Sequence, residues 1–374
     1  MKHQPFGRKV YLFLLLLFPL FLQGQTYKYY FGNIHAHTAF SDGNKDHDAA
    51  TPEDSYAFAK KSKHFDFLGI SEHNHSQAGM HLASYKQGLD QANQANVDGK
   101  FVCLYGMEFG VISKGGHVVI YGVDSLVGWE AGNFDIFVKK SDYVSLWNML
   151  VKKPNIFVTL AHPKERDFSD LLHHPFNETA DSVIRGVAVK SGPAFSEKTD
   201  DSDRPKATYY KYFREMLAAG YKVGPTVDHD THNTVFGRST MGRTVVLSQE
   251  LSRDSIIAAY RAMRFYASDD WNAKVNFTVN GHPMGSTVEI SSDATIKITV
   301  TDPDAGDKVA SIKLFFGQPG SGELAIELAS SLNKSSLTFK HVLENEDNFY
   351  YFAEITQADG DKIYTAPIWI TAPE

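Results

Sequence analysis

Residues 27–43 read YKYYFGNIHAHTAFSDG, and this stretch decides how the remaining chain is read. Aromatic residues crowd positions 27–31, and the run closes on Ile34 before an Asp42-Gly43 turn signal, so a strand is predicted here. His35 and His37 sit two apart at its end. On an extended backbone such residues share a face and can grip one ion together. Neutral imidazole is also the commonest protein ligand for first-row transition metals. Alone, the pair is weak evidence, because two surface histidines give the same pattern.

Reading outward, the arrangement recurs. Candidate strands end at Ile34, Ser71, Met107, Tyr121, Leu160, Lys190 and Val227. A second strand runs into Glu72-His73-Asn74, a third into Glu108, and His117 opens the fourth. His162 follows Leu160-Ala161, and Asp228-His229-Asp230-Thr231-His232 follows Val227. The chain holds 16 His in 374 residues, and coincidence would scatter them over helices and loops. A common rim of ligands is the better account. Helical patterns fall between the strands, at Thr51–Ser62, Ala78–Asn96, Asp142–Val151, Arg204–Ala219 and Ser252–Arg264. Such alternation predicts a mostly parallel sheet, open or closed into a barrel, with chemistry at the strand ends.

After Asp270 the pattern changes to period two, as in Ile296-Lys297-Ile298-Thr299-Val300, with Gly- and Asp-rich turns between runs. An antiparallel β-sandwich is predicted over 271–374. The metal-bearing region is 25–270, and residues 1–24 read as a leader. Lys2, Arg8 and Lys9 precede the apolar run Val10–Leu22, which is shorter than the roughly 20 residues a membrane span needs. A signal peptide cleaved near Gly24 is expected, giving an exported protein without a stable membrane span. Losing three cations takes the net charge from -7 to -10. That acidity argues against nucleic acid as a partner. Cys103 stands alone in an apolar run and is expected to be a small buried hydrophobe.

The motifs, in order, are HAHTAFSDG (35–43), EHN (72–74), the glutamate of GME (106–108) with His117 nine residues on, AHP (161–163) and DTH (230–232). Together they resemble the polymerase and histidinol phosphatase (PHP) superfamily of metal-dependent hydrolases. The later segments GRTVVL (242–247), RAMRFYASDDW (261–271) and YYFAEITQADGDKIYTAPIWI (350–370) resemble its exported branch related to carbaryl hydrolase. The resemblance runs from about Tyr29 to the end of the chain. It implies a distorted (β/α)7 barrel of PHP type with two or three divalent transition-metal ions at its mouth. It also implies ligand sets: His35, His37, Glu108 and Asp230 for one ion; Glu108, His117 and His162 for a second; Asp42, His73 and His232 for a third. Glu72 stands where the family has Asp. In the doubled last motif Asp228 rivals Asp230, and His229 is a candidate general acid.

A carboxylate can bridge two cations, which a neutral imidazole cannot, so Glu108 suits the shared position. Mixed N/O ligands suit Zn, Mn or Fe without choosing among them. Arg166, Lys190, Arg238 and Arg243 are candidates to neutralise an anionic small-molecule substrate. No G-x-S-x-G elbow is present. A bound cation brings the pKa of water from 15.7 to about 7, so the expected activity is hydrolysis by a hydroxide bridging the metals. Phosphoesters are the first choice; carbamates, amides or carboxylesters are the alternative. A non-catalytic secreted protein that binds metal or polymer is the reading from another class. The oligomeric state is left open.

Overall fold

Nine strands of four residues or more carry the described region up to Ser268. They are β1 Lys28–Asn33, β2 Phe67–His73, β3 Val102–Val111, β4 Gly116–Tyr121, β5 Phe157–Ala161, β6 Ile184–Ser191, β7 Gly224–Asp228, β8 Arg243–Ser248 and β9 Phe265–Ser268. The computed structural model describes residues 26–44, 46, 50–113, 115–290, 293–343 and 348–372. The expected leader, its cleavage point near Gly24 and His47 lie outside these residues.

Helices fill five of the predicted places: α1 Pro52–Ala59, α2 Leu82–Ala95, α3 Tyr143–Leu150, α4 Tyr210–Ala218 and α5 Arg253–Arg261. Local chemistry sets their starts. Thr51 and Asp54 form a reciprocal capping box with Pro52 at the first helical position. Asp142, three residues before Ser145, accepts its backbone N–H at the start of α3. Among the described residues no helix is long and apolar enough to cross a membrane.

The strands do not make the expected distorted (β/α)7 barrel. They join one mixed sheet of 16 strands, ordered β7-β6-β5-β4-β3-β2-β1-β8-β9 and continuing through Lys362–Thr365, Phe349–Gln357, Val309–Gly317 and Ile326–Leu332. The pairs β1/β2, β2/β3, β5/β6 and β6/β7 are parallel. However, β4 runs antiparallel to both β3 and β5, and β8 runs antiparallel to both β1 and β9. The reason is chain reach. Only residues 112–115 separate β3 from β4, whereas a parallel crossover needs a dozen or more.

Side chains pin the ligand-bearing strands in place. Every residue of β2 is buried, as expected of a strand covered on both faces. Tyr121 donates its hydroxyl to the Ile34 carbonyl at 2.7 Å, and Tyr56 donates to Leu104 at 2.6 Å. Cys103 is buried among the same strands, and burial pushes its thiol up to about 12.

The C-terminal strands are β-sandwich-like. Lys274–Val279 pairs with Asp293–Thr301, which pairs with Ser336–Val342, all antiparallel. Val275, Phe277, Val279, Ile296, Ile298 and Val300 point inward and share a core with Ile312, Leu314 and Ile355. Burying each of the larger side chains contributes roughly 1.5–3 kcal/mol relative to exposure. The sheet is continuous across Asp270, because β9 pairs with Lys362–Thr365 through Tyr266↔Thr365 and Ser268↔Ile363. Trp271 lies 5.0 Å from the His64 ring, and the Lys222 ammonium sits 5.9 Å over Trp369. Both tryptophans therefore touch the N-terminal half.

Candidate metal centre

Two sequence motifs are stitched together by backbone. His37 N–H donates to the Thr231 carbonyl at 2.8 Å, and Asp230 N–H donates to the His35 carbonyl at 2.9 Å. The segment after β1 thereby lies beside the segment after β7. The third contributor is β3, whose Glu108 pairs in register with His73 of β2 on one side and Val119 of β4 on the other.

Glu108 is fully buried at the centre of five imidazoles. Its Oε1 lies 3.0 Å from His35 Nε2, 2.9 Å from His117 Nδ1 and 3.1 Å from His162 Nε2. Its Oε2 lies 3.1 Å from His73 Nδ1 and 3.4 Å from His37 Nε2. Asp230 Oδ1 lies 3.1 Å from His35 Nε2 and 3.2 Å from His37 Nε2. Asp42 Oδ1 lies 3.4 Å from both His73 Nε2 and His232 Nε2. All nine residues picked as ligands from the sequence are thus brought together. Within this cluster three groups offer donor atoms within 4.8 Å of one another: His35, His37, Glu108 and Asp230; His73, Glu108 and His117; and His37, Asp42, His73 and His232. These groups differ from the expected sets in how three histidines are shared. His73 and His37 each belong to two of them, while His162 joins through Glu108 and through His117 Nδ1, 3.4 Å away.

The cluster has the chemistry of a cation site. His35 Nε2, Asp42 Oδ1, His73 Nδ1 and Glu108 Oε2 are buried without a well-formed hydrogen bond, a costly state for polar atoms unless something else satisfies them. Burial pushes the Glu108 carboxyl up, but the rings of His117, His35 and His73 outweigh it and hold the group well below the usual carboxylate range. An anion stabilised among imidazoles can coordinate cations through both oxygens. His162 and Asp230 also adopt positive φ, 29° and 54°. Such non-glycine backbone costs on the order of 1–3 kcal/mol and concentrates at functional sites.

Neighbouring groups hold the ligands in orientation. Asp228 Oδ2 lies 3.2 Å from His35 Nδ1 and its Oδ1 accepts from Thr226 at 2.9 Å, so Asp228 aims His35 Nε2 at the cluster. Asn33 accepts the His35 N–H at 2.7 Å. His232 Nδ1 lies 2.7 Å from the Asp230 carbonyl, turning its Nε2 toward Asp42. Glu72 is buried and accepts from the Thr38 N–H at 3.1 Å and from the Thr38 and Ser41 hydroxyls. It braces the loop that carries Asp42 and is not itself among the grouped donors. Burial, opposed by the Ser41 and Thr38 hydrogen bonds, brings its pKa up to about 7.

Several expected site residues lie elsewhere. His229 faces away: its Nε2 is 2.7 Å from the Gly242 carbonyl and its ring stacks on Phe65, so it is not placed as a general acid. Arg243 is fully buried and donates to the carbonyls of Thr240, Gly242 and Gly237 at 2.7, 2.8 and 3.0 Å. Arg238 lies over Phe58 at 4.5 Å, Arg166 is 75% exposed and pairs with Asp170, and Lys190 pairs with Asp269. None of the four is held toward the cluster. The site instead opens into a cleft of about 350 Å³ whose lining includes His162, Asp230, Lys164 and Lys206. Neither lysine stands in a motif, which is why sequence reading passed over them. His75, near a motif, tilts against His73 at 5.8 Å and against Trp129 at 5.5 Å.

The buried His229 predicts an acid-labile apoprotein. Burial, with Arg243 nearby, lowers its pKa to about 3, against 6.5 ordinarily. Its contribution to stability is complete above pH 6.5 and is lost as pH falls from 6.5 toward 3, because only the unfolded chain takes up the proton. At pH 4 the loss is about 3 kcal/mol. Denaturant titration of metal-free protein at pH 7 and pH 4 checks this: His229→Gln should show a clearly smaller drop than wild type. Equal drops would assign the acid lability to other groups.

No family model matches the chain. It is 26% identical over 221 residues to an uncharacterized protein of Chlamydia trachomatis serovar D, covering 52% of this chain and 36% of that one. It is 23% identical over 186 residues to an uncharacterized protein of Chlamydia pneumoniae, covering 46% and 30%. The chain therefore spans 36% and 30% of the lengths of these relatives. Among solved structures, superoxide reductase (neelaredoxin) from Ignicoccus hospitalis matches with a TM-score of 0.19 and 14% identity over 27% of this chain and 80% of that chain. An AA10 lytic polysaccharide monooxygenase from Streptomyces lividans matches with a TM-score of 0.18 and 17% identity over 25% and 62%. Likenesses this weak carry no inference about activity.

Proposed function

We propose that this chain is a metal-dependent hydrolase of the PHP type, with phosphoesters as its first substrate class. The observation behind this reading is the buried Glu108 carboxylate, with three imidazole nitrogens facing one oxygen and two facing the other. His35, His37 and Asp230 would hold one ion with Glu108, and His117 and His162 a second. Asp42, His73 and His232 would hold a third. When bound, divalent ions supply Lewis acidity and a water whose pKa falls to about 7. Zn, Mn and Fe all suit the mixed nitrogen and oxygen donors.

The chain's own residues orient and exclude. Glu108 would supply a negative charge shared by bound cations, and Asp228 fixes which nitrogen of His35 faces inward. Asp230 lines the cleft as well as the cluster, and its carboxylate would take a proton as water attacks. Three cations held there would match the oxygens of a phosphoryl group, which favours phosphate. The resemblance of residues 350–370 to the carbaryl hydrolase branch favours carbamate, amide or carboxylester cleavage as the second reading.

Elemental analysis after native purification should find two or three transition-metal ions per chain. Less than one, even after reloading with Mn, Zn or Fe, would count against the site. Asp42→Ala should lose about one ion and keep the pair at Glu108. Its kcat/KM should fall further on a phosphoester than on a carboxylester, read as lost transition-state stabilisation. Equal losses on both would remove the ground for preferring phosphate.

A further inference from the structure

We propose that the cleft selects phosphate esters of aromatic alcohols, with Lys164 and Lys206 receiving the anion and Phe195 receiving the ring. This rests on the hydrolase reading above and names its substrate class. The cleft of about 350 Å³ has His162 and Asp230 in its wall, and its lining also includes Lys164, Lys206, Asp203, Pro193 and Ala194. Among the described residues neither lysine makes an ion pair, whereas Lys190 and Lys198 nearby are engaged with Asp269 and Asp203. Each lysine has a carboxylate in electrostatic reach, Asp167 for Lys164 and Asp203 for Lys206, but neither is tied up in a contact ion pair. Two such ammonium groups beside the candidate ligands suit a phosphate, which lysine binds as a point charge. A cavity of this size takes one small molecule.

Next in sequence to Ala194 of the cleft lining, Phe195 is 64% exposed, and its ring centroid is 4.8 Å from that of His232. Single exposed apolar residues are common and mean little alone. This one is held. His232 N–H donates to the Ala194 carbonyl at 2.8 Å, and Gly192 N–H donates to the Asp228 carbonyl at 2.9 Å. Asn233 Nδ2 donates to the Ser196 carbonyl at 3.1 Å. The segment bearing Phe195 is thus fastened on both sides to the segment bearing Asp230 and His232. The ring is a fixed apolar ledge beside the ligands, facing solvent where a leaving group can lie against it. In the reaction, the oxygen of water bonds to phosphorus, the P–O bond to the aryl group breaks, and the phenol departs with one proton from the water.

Binding of phenylphosphonate and methylphosphonate, whose C–P bonds resist hydrolysis, separates the two halves of the claim. Both are titrated calorimetrically into the metal-loaded full chain at low salt. Phenylphosphonate should bind wild type roughly 5- to 10-fold more tightly than methylphosphonate, the scale of one aromatic contact. Phe195→Ala should erase that preference. The double variant Lys164→Ala/Lys206→Ala should weaken both ligands by about 10-fold or more. Metal content should stay at the wild-type level in all variants, since none of these residues is a proposed ligand. The inference is overturned if wild type shows no preference for the phenyl compound, or if the lysine variant binds both ligands like wild type. A protein that binds in the expected pattern yet hydrolyses no ester keeps this cleft assignment and loses the hydrolase reading. One that cleaves aryl phosphates equally well in all variants does the reverse.

Discussion

Glu108→Ala should strip more than one metal ion from the protein and lower kcat/KM by about 10³-fold or more, roughly 4 kcal/mol of transition-state stabilisation. Both carboxylate oxygens face imidazole donors, three at 2.9–3.1 Å from Oε1 and two at 3.1 and 3.4 Å from Oε2. On the proposed reading, removing the group would delete a shared anion and leave bound cations repelling one another across a buried gap. Loss of a peripheral ligand such as Asp42 should be milder, because the pair at Glu108 survives it. Metal counts and kinetics on the same preparation decide the matter. Full metal retention with near-normal activity in Glu108→Ala would overturn the site assignment.

Arg243→Met should destabilise the protein by about 3–5 kcal/mol. The guanidinium is fully buried, donates to the carbonyls of Thr240, Gly242 and Gly237, reaches the His64 carbonyl at 3.1 Å and lies 4.9 Å from the Phe65 ring. Methionine fills much of the volume but takes the donor away from the Thr240, Gly237 and His64 carbonyls, while Gly242 keeps His229. Arg243→Lys should recover little, since one ammonium cannot serve a planar fork of acceptors. Denaturant unfolding at fixed metal concentration measures the loss, and below the transition metal content should remain that of wild type. Unchanged stability with a raised KM for an anionic substrate would instead restore Arg243 to a substrate-binding role.

The clustering of the candidate ligands is legible in the sequence because their chemistry is rare and ordered. Histidines two apart on an extended run must share a face, and an acid or imidazole at one strand end after another is hard to reach by chance. The same rule of two explains the doubled motif: Asp228 and Asp230 both address His35, through Nδ1 and Nε2, while His229 between them turns to Gly242. Strand direction was harder. Period and composition say that a strand forms but not which way it runs, so alternation with helices points to a mostly parallel sheet, open or closed, and the barrel is what the resemblance implies. The link of residues 112–115 was the available signal, since it permits only a hairpin between β3 and β4. The cations were misread for a related reason. Sequence marks a charge but not its neighbours: Arg243 opens an apolar strand and is consumed by carbonyls, while Lys164 and Lys206 stand in loops without a motif and line the cleft.

The most direct test is a crystal of the manganese-loaded protein measured at a wavelength where manganese scatters anomalously. The account predicts at least two anomalous peaks, one at bonding distance from each oxygen of Glu108, about 2.0–2.2 Å as for carboxylate ligands of divalent metals. No peak at this cluster, or a single ion that leaves Glu108 uncoordinated, would contradict it.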